Sequence, residues 1–201
     1  MATKDKSMIF TRRTFIATGI ATALPLRAFA HQSAEDWVMP EEFLPRPVRF
    51  SEEQAPGTII VDPDYFALYL VLTADQGIQY SVGVGRGNLY ESGLFTVGAK
   101  KEWPSWTPTD EMIERDPEHY AKWADGMPGG PENPLGARAL YLFDDAGNDT
   151  FLRIHGTPEP WTIGSAVSNG CVRLANEHIA ELYDQVELGA AVMLLPKVES
   201  V

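Results

Sequence analysis

From residue 57 onward, apolar positions come in short runs, each closed by a turn signal. Segments 58–61, 65–72, 78–84, 94–99, 139–143, 151–155 and 191–195 are rich in β-branched and aromatic residues. Asp62-Pro63-Asp64, Asp75-Gln76-Gly77 and Asp144-Asp145-Ala146-Gly147-Asn148 supply turn chemistry between them. Short strands in this number predict a mostly β domain, a sandwich or a barrel. One segment has the helical period instead. Ile179, Leu182, Tyr183 and Val186 fall on one stripe, so a helix is expected from Asn176, as its cap, to about Glu187. That stripe reads as core packing.

Two stretches break the strand pattern. Residues 101–135 hold Trp103, Trp106 and Trp123 among Pro104, Pro108, Pro117, Pro128, Pro131 and Pro134. A connection of this length inside a domain is commonly a functional loop, which makes the tryptophans candidates for a substrate lid; they serve equally well as the loop's own small core. Residues 31–56, with Pro40, Pro45, Pro47 and Pro56, read as an extended arm laid on the domain or as a spacer. The main folded domain is then expected over 57–196, with 197–201 as a tail.

The first 30 residues have the layout of an export signal. A basic start with Lys4, Lys6, Arg12 and Arg13 precedes an apolar stretch over 15–26 and a small-residue site, Ala28-Phe29-Ala30. Thr11-Arg12-Arg13-Thr14-Phe15-Ile16 resembles a twin-arginine signal. The apolar stretch is too short to span a bilayer, and Pro25 and Arg27 interrupt it. Cleavage near Ala30 would deliver the chain to the periplasm without lasting membrane insertion.

Charge narrows the partners. The chain has 16 basic and 28 acidic residues, net −12; residues 1–30 are net +4, leaving −16 on 31–201. Such a surface disfavours nucleic acid and anionic lipid. His31, His119, His155 and His178 show no metal-ligand spacing with the one cysteine, so neither metal nor cofactor is expected.

Cys171 is the only cysteine and cannot form a disulfide within the chain. In an oxidising compartment a lone thiol is a liability unless it does chemistry. It sits in Ser168-Asn169-Gly170-Cys171-Val172-Arg173, where Asn-Gly holds it at a bend. His155 closes the apolar segment 151–155, with Gly156 next. A histidine beside a thiol can take its proton and hold a thiolate–imidazolium pair. Backbone N–H groups of the Asn169-Gly170-Cys171 turn are candidate oxyanion donors. Arg173 can hold a substrate carboxylate or raise the local potential. Singly, each has a plainer role: a hydrogen-bonded histidine, a salt-bridged arginine, a turn serine.

Together, His155-Gly156-Thr157, Ile163-Gly164 and Ser168-Asn169-Gly170-Cys171-Val172-Arg173 resemble the signature of the L,D-transpeptidases, the YkuD-type catalytic domain. Residues 93–98 and 133–140 support the resemblance, which covers most of 57–196. It implies a YkuD-like β-sandwich with a short helix after the nucleophile, and peptidoglycan stem peptides as partners. Cys171 would form a thioester with the diaminopimelate carbonyl of a tetrapeptide, releasing D-Ala, and His155 would be the base. Ser168, Gly170, Gly156 and Arg173 match supporting positions. Many members carry a second histidine where this chain has Asn169, which bears on acceptor choice and thiol pKa. The acceptor would be a second stem, an outer-membrane protein lysine, or water in an L,D-carboxypeptidase. A wall-binding module that had lost the reaction would not need Cys171, His155 and Arg173 intact.

Overall fold

A computed structural model of the chain describes residues 37–198. The proposed export signal at 1–30 lies outside them, as do residues 31–36 of the arm and 199–201 of the tail. Among the described residues there are eleven strands and three α-helices. The strands are β1 (Arg46–Arg49), β2 (Ile59–Asp62), β3 (Ala67–Thr73), β4 (Gln76–Ser81), β5 (Val84–Gly85), β6 (Gly93–Glu102), β7 (Arg138–Phe143), β8 (Asp149–His155), β9 (Ala166–Ser168), β10 (Val172–Arg173) and β11 (Ala191–Leu194). The helices are α1 (Asp110–Arg115), α2 (Pro117–Tyr120) and α3 (Asn176–Gln185).

Nine strands form one mixed sheet in the order β1-β4-β3-β2-β11-β6-β7-β8-β10, and β5 pairs with β9 beside it. The chain leaving β4 returns to the far edge. Gly83 N–H donates to Arg173 O (2.9 Å) and Arg173 N–H to Gly83 O (2.8 Å). The sheet therefore folds over onto itself, as expected of a sandwich or barrel. Between its faces lies one core. Ile59, Leu68, Tyr80 and Val82 from one side meet Leu140, Ile154, Leu174, Ile179 and Leu182 from the other. All nine are fully buried; at roughly 1.5–3 kcal/mol per large apolar side chain, this cluster is the main favourable term of the fold.

Three short strands, β1, β9 and β10, carry no legible sequence signal. The 78–84 segment divides into β4 and β5, and β9 and β10 are too short to alternate. The arm is not a spacer from Arg46 onward: β1 pairs antiparallel with β4 (Arg46 opposite Gln79) and covers that edge. Its Pro47 is tolerated because only one side of an edge strand is paired.

Helix α3 follows Cys171 closely, but Asn176 does not cap it. The cap position is Ala175, without a side-chain bond. Asn176 Oδ1 instead accepts from Ala137 N–H (2.9 Å), tying the helix start to the strand entering β7. The C-terminal end is met by Lys100, whose ammonium donates to Tyr183 O and Val186 O, both at 2.6 Å. A cation there complements the helix dipole.

Residues 103–135 are a built segment rather than an open loop. Thr109 caps α1 by accepting from Met112 N–H, and Asp116 caps α2 by accepting from His119 N–H. Trp106 and Met127 exchange backbone bonds (2.9 and 2.6 Å), and the Trp106 ring packs 6.1 Å from Tyr120. Buried Asn133 closes the base, donating to Met127 O and Pro128 O and accepting from Leu135 N–H.

Candidate active site

The site is a consequence of strand register. β8 and β10 run parallel with Ile154 opposite Val172 and His155 opposite Arg173. Side chains alternate across a sheet, so residues paired in this register share a face. Ile154 and Val172 enter the core. Phe151, Arg153, His155, Cys171 and Arg173 all line one cleft on the other face. This cleft measures about 1670 Å³. Trp103, Trp106, Trp123, Ser168, Asn169 and Trp161 also border it, so the three tryptophans of the 103–135 segment do face the cysteine's cleft.

Cys171 keeps partial solvent contact. Its Sγ–H points at Phe151 O, a long 3.9 Å. Burial pushes the thiol pKa up; the Arg153 backbone N–H and the Arg153 and Arg173 charges pull the other way without overcoming it. Phe151 itself has φ +61, a left-handed conformation rare for an aromatic residue, and its ring is 71 % exposed. Such backbone strain is typical of functional sites.

His155 is buried, and its Nδ1 lies 2.6 Å from Gly156 O. A carbonyl can only accept, so Nδ1 carries the proton and the Nε2 lone pair is available as a base. Burial drives the His155 pKa down to about 3, with the Arg173 charge adding to it and the Gly156 and Leu135 carbonyls opposing it. The resting pair is thus neutral thiol and neutral imidazole. A thiolate–imidazolium pair, as expected from the residues alone, would have to form against the desolvation of His155.

The Ser168–Cys171 turn is held by Ser168. Its Oγ–H donates to Cys171 O (2.6 Å) and its Oγ accepts from Gly170 N–H (3.3 Å). Gly170 N–H is therefore engaged and is not a free oxyanion donor. Cys171 N–H and Asn169 N–H have no acceptor among the described residues and are the donors that the turn leaves over. Gly170 must be glycine: φ is +125, and a Cβ would come within 2.9 Å of Leu89 O.

Of the roles expected of Arg173, the structure displays the salt bridge and the local positive charge. Its Nη2 donates to Thr157 Oγ1 (2.9 Å), Glu159 Oε2 (3.1 Å) and Thr162 Oγ1 (2.7 Å), pinning the 157–162 loop against β10. The charge still reaches Cys171 and His155. Gly156 packs against Asn176 and Ala137, holding His155 at the strand end. Asn169 also engages through its side chain. Oδ1 accepts from Arg86 (3.1 Å) and Arg115 (2.8 Å), and Nδ2 donates to Tyr120 Oη (2.9 Å).

Sequence reasoning missed Arg153. It forms a bidentate pair with Asp149 (2.6 and 2.8 Å) and lies 4.0 Å from the Tyr141 ring centroid. The signal was present: period-two alternation through 151–155 places Arg153 on the same face as His155. Among the described residues, no group of histidine, cysteine and carboxylate side chains is arranged to hold a metal.

Residues 56–194 match the model of the YkuD family, described as the L,D-transpeptidase catalytic domain. The chain belongs to this family. It is 40% identical over 108 residues to a Fuscovulum blasticum protein named as an L,D-transpeptidase in the ATP synthase subunits region, covering 54% of this chain and 52% of that one. It is 32% identical over 147 residues to YqjB of Bacillus subtilis, also named as an L,D-transpeptidase, covering 71% and 74%. A Brucella melitensis crystal structure is 47% identical, with a TM-score of 0.54 over 84% of this chain and 100% of that one. That protein is named as a carnitine operon oxidoreductase, a description of it alone. The chain spans between about a third and a half of the length of several curated relatives it matches.

Proposed function

We propose that this protein is a cysteine-dependent peptidoglycan L,D-transpeptidase of the periplasm. The observation that carries the reading is the β8–β10 register, which sets Cys171, His155 and Arg173 on one face of a wide cleft.

A tetrapeptide stem enters the cleft beneath Trp103, Trp106 and Trp123. Cys171 attacks the diaminopimelate carbonyl at its L-centre. As the S–C bond forms, the thiol proton passes to His155 Nε2 and the oxyanion is met by Cys171 N–H. Collapse breaks the C–N bond; His155 returns the proton to the leaving D-Ala amine, and a thioester remains. An amine then attacks the thioester, giving its proton to His155, and the thiol is regenerated. A second diaminopimelate yields a 3–3 crosslink, and a protein lysine yields attachment to the wall. Residues 1–30 act as the export signal.

Residues 31–201 incubated with a disaccharide-tetrapeptide, with products weighed by mass spectrometry, test the reading. Loss of D-Ala together with a crosslinked dimer, both abolished in Cys171→Ala, is the expected result. Product that persists in Cys171→Ala, or a thiol that gives no carbapenem adduct and no turnover, overturns it.

A further inference from the structure

Arg86 and Arg115 come from separate elements, 83 and 54 residues from Asn169 in sequence, and both donate to its Oδ1. The amide oxygen has two lone pairs, and both are taken. Two guanidinium charges therefore meet at one neutral atom, two residues before Cys171. Neither arginine takes part in an ion pair among the described residues, although acidic residues outnumber basic ones 28 to 16. The acidic neighbour of Arg115 is Glu111, one turn earlier in α1, whose carboxyl is pulled down chiefly by its own backbone N–H and by Thr109, with Arg115 the smallest influence. Each guanidinium has five N–H donors and spends one on Asn169. Both are held by their backbones: Arg86 N–H bonds Ser168 O (3.0 Å), and Arg115 closes α1. Like charges held this close are costly unless an anion joins them, and a carboxylate matches the guanidinium fork.

We propose that Arg86 and Arg115, gathered on Asn169, form a carboxylate-binding subsite for the stem peptide beside Cys171; this rests on the peptidoglycan reading above. The ligand group is a free carboxylate of a stem, from the donor strand or from the acceptor strand. Asn169 is then the hinge-pin of the subsite, with Tyr120 fixing its amide so that Oδ1 faces the arginines.

The test uses full-length Cys171→Ala protein, with Arg86→Gln, Arg115→Gln and the double change added. Each is titrated calorimetrically with a tetrapeptide whose diaminopimelate and terminal carboxylates are free, and with its carboxamide analogues. The double change should weaken free-acid binding about tenfold or more while leaving carboxamide binding unaltered. Equal effects on acid and amide, or none, overturn the proposal. With Cys171 intact, a D-Ala release rate that falls in Arg86→Gln/Arg115→Gln assigns the donor carboxylate; unchanged release with reduced crosslinking assigns the acceptor. A readout without any stem separates this proposal from the function itself. The ratio of iodoacetate to iodoacetamide alkylation of Cys171 should fall several-fold in the double variant, and an unchanged ratio counts against the arginine pair even if turnover is never seen.

Discussion

At the scale of the residue, the site rests on two side chains whose ordinary protonation is enforced by burial. His155 is held neutral, with a pKa near 3 against an ordinary 6.5. Its unfolded form binds a proton between those values while the folded form does not, so stability falls as pH drops from about 6.5 towards about 3. The loss is on the order of a few kcal/mol. Denaturant midpoints at pH 7 and pH 4.5 should therefore differ more for the native protein than for His155→Asn, and a slope unchanged by the substitution would show that the imidazole is not desolvated. For Cys171 the raised thiol pKa gives a complementary expectation. Iodoacetamide reactivity should climb only in the alkaline range, above the usual thiol value, whereas a plateau at neutral pH would reveal a stable ion pair. Gly170 tests the turn between them. With φ +125 and Leu89 O in the path of a Cβ, Gly170→Ala should cost about 1–3 kcal/mol and slow Cys171 acylation well beyond what that loss of stability explains. Thermal melts beside carbapenem adduct rates check both.

At the scale of the element, β8 and β10 do more for the site than any single side chain. β10 is two residues long, and its pairing with β8 lets alternation sort Ile154 and Val172 inward and His155 and Arg173 outward. No periodicity can be read from a two-residue strand, which is why the motif was legible in sequence while the face it occupies was not. The helix was legible from its apolar stripe, but its first residue was given the wrong duty. Asn176 looks like a cap by type, yet a tertiary donor, Ala137 N–H, claims its oxygen. Asn176→Ala should leave that buried donor unpaired and cost about 1–3 kcal/mol, measured by urea unfolding. The tryptophan segment separates into two roles. Trp106 packs on Tyr120 and is bridged to Met127, so Trp106→Ala should loosen the segment and raise its protease sensitivity. Trp103 is 46 % exposed on the cleft, and Trp103→Ala should lower kcat/KM with little change in Tm. An equal loss of Tm in both variants would make the segment a packing unit only.

At the scale of the whole molecule, closure of the sheet links parts that the sequence keeps far apart. Strand runs and turns made the β class legible, but closure depends on pairings between Gly83, at the end of one such run, and Arg173, which has no strand signature of its own. The arm shows the same thing. Its proline content suggests an extended segment; of its described part Arg46–Arg49 is a strand and Glu41–Phe43 a 3-10 turn, and two phenylalanines that composition alone would pass over seat it. Phe50 lies over Gly77 in β4 and edge-on to Tyr69, and Phe43 lies over Gly164 in the loop that Arg173 pins. β1 between them covers the outer edge of β4. A chain beginning at Ser51 lacks all three, leaving β4 with a row of unpaired backbone groups, the arrangement that invites edge-to-edge association. A chain beginning at Pro45 keeps β1 and Phe50 and lacks only Phe43. The shorter chain should therefore associate, seen as a concentration-dependent mass in light scattering. Its Tm should fall by several degrees, because the apolar surface under Phe43 and Phe50 returns to water. The longer one should remain as dispersed as the full chain but show faster proteolysis at 159–165, because Phe43 no longer weighs on Gly164. If both chains behave alike, β1 is only resting on the sheet; if they separate as described, the arm is one strand of the fold and a brace for the loop beside the thiol.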